Sequence, residues 1–179
     1  PDIKEDDAYS YSLKGDWVKE AETYMSIPMG AGAIISTPVD LTKFAEALFN
    51  GKLISPADLK LMETLKDNYG MGLFKVPFYD RSGYGHTGGI DGFTSVMYHF
   101  ADGDVSIAIT SNGTNFDNNQ ISIALLSAVY NRPYEIPDFK TFAVSNADLD
   151  KYAGVYSSKQ TPLKITVSRK DNILMAQAT

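Results

Sequence analysis

The sequence predicts an α+β fold: an antiparallel sheet flanked by helices, followed by the start of a small all-β domain. Three observations carry this reading. Two capped helical stripes lie before residue 66, strand-like segments with an Asp-Gly hairpin fill 69–110, and short alternating segments recur after 150. A chain of 179 residues with 21% charged side chains has room for one ordinary domain, a small addition and a genuine core.

The first 30 residues alternate polar and aromatic side chains without a clean period, so they are expected to form a surface excursion with one short helix over 17–24. Ser36-Thr37-Pro38-Val39-Asp40 then combines a hydroxyl cap, a first-turn proline and an acid at the positive helix end. Leu41, Phe44, Ala45 and Leu48 follow at helical spacing, and Asn50-Gly51 supplies a stop. Ser55-Pro56-Ala57-Asp58 repeats the start signal, with Leu59, Met62 and Leu65 as its stripe. Strands are predicted over 69–76, 84–87, 93–100 and 105–110, the last two joined at Asp102-Gly103. Residues 115–130 read as a helix with Ile121, Ala124, Leu125 and Ala128 on one face. The organisation expected is a main domain over 1–132, a linker over 133–148 with two prolines, and an incomplete β-barrel-like domain over 149–179.

The absence of cysteine excludes disulfides, thiolate metal sites and a cysteine nucleophile. Only His86 and His99 are available as imidazoles, too few for a histidine metal cluster, and no metal or cofactor is expected. A net charge of −6 leaves no electrostatic footprint for nucleic acid or anionic membranes, and no apolar run reaches the length of a membrane span.

The densest chemistry is Gly85-His86-Thr87-Gly88-Gly89-Ile90-Asp91-Gly92-Phe93. Glycines at 88, 89 and 92 let another backbone or a substrate approach, and a bare backbone N–H there can serve an oxyanion. The plain alternative is a glycine-rich turn solvated by a histidine and a threonine. Asp91 reads as a solvated turn residue, His99 as structural, Tyr9, Tyr11 and Tyr24 as packing for their own loop, and Glu5-Asp6-Asp7 as a solvated acidic patch.

This segment resembles the third active-site box, Lys-Thr-Gly in its usual form and His-Thr-Gly in an esterase-like and D-amino-peptidase-like branch, of the serine β-lactamase and penicillin-binding-protein superfamily. Other segments resemble that family in the same order: Gly30 to Leu41, Tyr69-Gly70-Met71-Gly72, Ile109-Thr110-Ser111-Asn112, and the linker from Pro133. The resemblance implies a β-lactamase/transpeptidase-like fold and an acyl-enzyme mechanism. It makes His86, Thr87 and Gly89 catalytic, with His86 in the basic position and Gly89 N–H in the oxyanion hole. Gly88 and Thr87 bind substrate, and no cofactor is implied. It also implies a periplasmic or cell-surface location.

Two departures bear on function. An imidazole, with an ordinary pKa of about 6.5, is mostly neutral at pH 7 and grips a carboxylate less firmly than lysine. That favours ester or small-peptide amide substrates over β-lactams. No serine here has lysine three positions on, and no Tyr or Ser has Asn two positions on. The expectation is therefore a C-terminal piece of a serine hydrolase, inactive alone, whose parent takes a small-molecule or peptide substrate. The alternatives are a non-catalytic penicillin-binding-protein-like ligand-binding module and a bare fragment without a function of its own. Strand 105–110 is expected at an exposed sheet edge, which invites dimerisation.

Overall fold

The computed structural model describes residues 7–136, 143–158 and 161–178. They fall into two compact units, Pro1–Ile136 and Pro137–Thr179.

The first unit opens with a hairpin, β1 (Tyr11–Lys14) and β2 (Asp16–Lys19), turning at Gly15 with φ +91°. The helix expected over 17–24 does not form: Trp17 pairs with Leu13 and Val18 with Ser12. Tertiary pairing decides this. Tyr11 N–H donates to Asn112 O at 2.7 Å, holding the hairpin in place, and tryptophan and valine suit a pleated surface.

Helix α1 (Pro38–Phe49) starts as its sequence requires, with Thr37 Oγ1 accepting from Asp40 N, and ends at Asn50 before Gly51 at φ +68°. Helix α2 (Pro56–Met62) is capped by Ser55 in the same way. Its apolar residues Leu59 and Met62, and Leu65 beyond, are half-buried.

Four antiparallel strands follow in the order β3 (Phe74–Phe78), β4 (Arg81–Ile90), β5 (Phe93–Phe100) and β6 (Val105–Ser111). β3 starts later than expected, because Gly72 at φ +71° breaks the run and leaves Tyr69 only isolated bridges to Lys66 and Phe74. β4 is longer than expected, since its glycines are accommodated against β5. Alternation sorts the side chains of β5. Val96, Tyr98 and Phe100 face helix α3 (Asn118–Val129) and form the core with Val76, Phe78, Ile107 and Leu126. His99 faces α1, stacked on Phe49 at 4.4 Å between centroids. The sheet therefore lies between α1 and α3.

The face that α3 buries is not the one its apolar residues mark. Ser122, Leu126 and Ser127 are buried, whereas Leu125 is 40% exposed. The two serines keep the helix close to the sheet, and Ser122 Oγ returns its proton to Asn118 O at 2.9 Å. Asn118 Nδ2 donates to Thr94 Oγ1 and fixes the helix start on β5.

The second unit holds α4 (Asn146–Asp150), which starts inside the segment expected as linker and is capped by Ser145. Residues 137–142 lie outside the described residues. Strands β7 (Gly154–Ser158), β8 (Thr161–Lys170) and β9 (Ile173–Ala178) form an antiparallel sheet, with Arg169 Nε bonded to Asp150 at 2.5 Å. No helix among the described residues is long and apolar enough to cross a membrane.

His99 gives the first unit a pH-dependent stability. Burial pushes its pKa below the ordinary value, opposed by weaker pulls from Asp104 and Glu46. The unfolded chain takes up the proton first, so the contribution is complete above about pH 6.5 and is lost as pH falls through the folded-state pKa. The urea midpoint is expected to drop between about pH 7 and 5.5, and His99→Gln to flatten that slope. An equal slope in the variant would place the effect elsewhere.

Candidate functional site

β4 is a ten-residue strand with two different halves. Residues Arg81 to Gly85 pair with β3 on one side, and Tyr84 to Ile90 pair with β5 on the other. From His86 to Ile90 the outer edge of β4 has no strand partner among the described residues. The four residues singled out by sequence, His86, Thr87, Gly88 and Gly89, all lie on this open stretch. His86 is half-buried and the other three are exposed. Alternation alone would send His86 and Thr87 to opposite faces, but the His86 ring packs on Phe74, which itself packs on Tyr98 of the core, so the imidazole lies along the edge of β4.

The glycines of β4 divide by cause. A Cβ at Gly83 would lie 2.3 Å from His99 O, and one at Gly85 2.0 Å from Met97 O, so both are required by the backbone of β5. A Cβ at Gly88 would meet Ser95 Oγ at 2.5 Å. At Gly89 the nearest atom is Phe93 O at 4.0 Å, and φ is not positive. Packing does not demand a glycine there, which leaves close approach from outside as the physical reason for a bare backbone.

Both ring nitrogens of His86 are engaged. Nδ1 contacts Thr87 O, and Nε2 lies 2.6 Å from Tyr69 Oη. Phe74 and Tyr69 pack around the imidazole at 5.5 and 5.6 Å between centroids. In the sequence Tyr69 stands only as the first residue of a family-like Tyr-Gly-Met-Gly segment, with no role at the site. The signal for its placement is Asp67-Asn68, two adjacent residues at φ +53° and +66° that turn the chain back at that point.

Asp91 is not the solvated turn residue expected. Its two carboxylate oxygens accept from Thr23 N–H and Thr23 Oγ1, both at 2.7 Å. A residue at φ +58° directly after the box thus clamps the segment that follows β2. Beside it, Gly92 lies against the backbone of Tyr11, where a Cβ would come within 2.8 Å. Thr23, the partner of Asp91, is 68 residues away in sequence, so no local pattern announces the clamp.

On the α3 face, Thr87 and Gly88 border an open depression of about 320 Å³ that reaches Tyr98 and the Asp117-capped start of α3. Burial, and then the nearby Asp117 carboxylate, push the Tyr98 phenol above its ordinary pKa. His99 lies on the opposite face, held by Phe49 and by Ser106 Oγ at 3.0 Å, and takes no part in this edge.

The glycine contrast is directly measurable. Gly85→Ala is expected to destabilise the chain by about 1–3 kcal/mol, since the neighbour that must give way is backbone. Gly89→Ala is expected to leave stability unchanged or raise it by about 0.4–1 kcal/mol through the unfolded state. Chemical denaturation of the two variants checks both; a large loss at Gly89 would mean that the fold itself requires this glycine.

The Beta-lactamase family model matches residues 1–130. Penicillin-binding protein 4* of Bacillus subtilis (strain 168) is 27% identical over 150 residues, covering 74% of this chain and 33% of that protein. A D-stereospecific amidohydrolase from Streptomyces sp. superposes with TM-score 0.55 at 30% identity, over 62% of this chain and 36% of that one. The octameric penicillin-binding protein homologue from Pyrococcus abyssi shares the fold, with TM-score 0.58 at 18% identity over 98% of this chain and 44% of that one. The chain thus spans about a third of the length of its curated relative. The match of the family model over residues 1–130 places this chain in the Beta-lactamase family, within the serine β-lactamase and penicillin-binding-protein superfamily.

Proposed function

We propose that this chain forms one wall of a serine-hydrolase site that works through an acyl-enzyme. The observation that carries the reading is the open edge of β4, where Thr87, Gly88 and Gly89 are exposed and Gly89 lacks any packing reason to be glycine. A substrate laid along that edge meets the Thr87 hydroxyl, finds room at Gly88, and brings its carbonyl oxygen to Gly89 N–H. There the negative charge of a tetrahedral intermediate is stabilised by a donor already in position. A serine oxygen forms the new bond to the carbonyl carbon, its proton passes to the leaving nitrogen or oxygen, and water later hydrolyses the ester. No Ser-x-x-Lys occurs among these 179 residues, so in this reading a segment outside the chain supplies the nucleophile.

Substrates are small amides or esters first and β-lactams second, because a histidine whose two nitrogens are already engaged is a weak holder of a carboxylate. The similarity to a Streptomyces D-stereospecific amidohydrolase supports an amide. The superfamily supports a periplasmic or cell-surface setting for the parent. β6 is an outer strand of its sheet, which supports self-association through that edge; the Pyrococcus abyssi homologue is itself octameric. A non-catalytic ligand-binding module has the absent Ser-x-x-Lys in its favour.

The test is intact-mass spectrometry of this chain after exposure to a fluorophosphonate and, separately, to a penicillin. No added mass is expected from either. A stoichiometric adduct on one serine would show that the chain carries its own nucleophile and would overturn the one-wall reading. A full-length parent that also stays unlabelled would favour the binding module.

A further inference from the structure

We infer that Tyr69 is the residue that sets the hydrogen-bonding polarity of this site: it holds His86 in one tautomer and itself offers an acceptor for a substrate N–H. The inference rests on reading the open edge of β4 as a substrate site.

Nδ1 of His86 contacts Thr87 O, and a carbonyl oxygen only accepts, so Nδ1 carries the ring proton. In the neutral imidazole Nε2 is then a bare lone pair. Its partner at 2.6 Å is Tyr69 Oη, which must donate. The single phenolic proton is therefore directed inward, toward the histidine. Tyr69 is 47% exposed, and with its only proton committed to His86 its oxygen can meet a ligand only as an acceptor.

A lysine in the position of His86 would present N–H donors to the cleft and favour a carboxylate or carbonyl. The Tyr69–His86 pair presents an acceptor, whose complement is an N–H. The matching substrate class is therefore an amide or amine, rather than an ester without an N–H.

The pair is also held in place. Lys66 and Tyr69 exchange backbone hydrogen bonds of 2.9 and 3.0 Å around Asp67 and Asn68. With both central residues at positive φ this is the tight turn of a two-residue hairpin. Tyr69 also bridges to Phe74, which pairs with Gly85 immediately before His86. The phenol thus reaches the edge on a short, constrained path, so little side-chain freedom remains to be lost on binding.

Nitrogen NMR of the labelled chain tests the first half, because only two histidines contribute signals. His86 is expected as the Nδ1–H tautomer, with Nε2 shielded by an accepted hydrogen bond. Tyr69→Phe is expected to move that Nε2 signal downfield while the His99 signals stay in place. The Nε2–H tautomer in the wild type, or an unmoved Nε2 in the variant, would overturn Tyr69's hold on His86. The second half is tested by shift titration with hydrocinnamamide and methyl hydrocinnamate. They share a skeleton and differ in having or lacking an N–H. The amide is expected to bind roughly fivefold more tightly, the worth of about one net hydrogen bond, and the difference to vanish in Tyr69→Phe. Equal affinities in the wild type, or a preference that survives the substitution, would overturn the acceptor role. Failure of both probes to bind would instead strike at the substrate-site reading of the edge.

Discussion

The offset between β3 and β4 is the constraint on which the rest of this site depends. β3 is five residues long and covers only the first half of the ten-residue β4. At one end the strands are joined by a turn in which Tyr79 adopts φ +52°. At the other, Gly72 at φ +71° ends β3 before it can follow β4 further. The backbone groups along the outer edge of residues 86–90 are consequently left for something other than this sheet. In most folds such an edge is a liability to be covered. Here it carries the residues with the most chemistry, and a rim residue, Tyr69, closes one end of it.

Inner and outer edges of β4 impose opposite demands. The inner edge packs so closely on β5 that Gly83 and Gly85 are needed simply to let the strands meet beside Phe100 and Tyr98. That closeness anchors the box to the main core, in which Phe100 is wholly buried. The outer edge carries no such load. A site built this way has a rigid back and an accessible front, the arrangement that positions hydrogen-bond donors without requiring them to reorganise.

The turn after the box extends the same logic to the N-terminal segment. Asp91 grips Thr23 through both carboxylate oxygens, Gly92 admits the Tyr11 backbone, and Gly113 lies against Tyr11 and Trp17. Asn112 completes the set, accepting from Tyr11 N–H and donating to Tyr9 O at 2.8 Å. The β1–β2 hairpin is thereby fastened across the ends of β4, β5 and β6. Two histidines in one small sheet end with different roles. β3 pairs only as far as Gly85 and leaves His86 at the open rim, whereas His99 lies in the middle strand under α1, where burial lowers its pKa.

By itself, the sequence determined what depends on neighbours along the chain. The caps at Thr37 and Ser55, the stop at Gly51 and the hairpin at Asp102-Gly103 are all short-range signals, and each element formed where they pointed. The tertiary structure decided what depends on distant partners. Trp17 lies in a strand because Asn112 holds Tyr11; α3 buries Ser122, Leu126 and Ser127 because that face meets the sheet; Asp91 is a clamp because Thr23 is folded against it. The polarity of the His86 edge belongs to this second class. The identity of residue 86 was plain in the sequence, but which of its nitrogens carries the proton is set by Tyr69 and the Thr87 carbonyl, and a hydrogen bond exists only once folding has placed its two ends in contact.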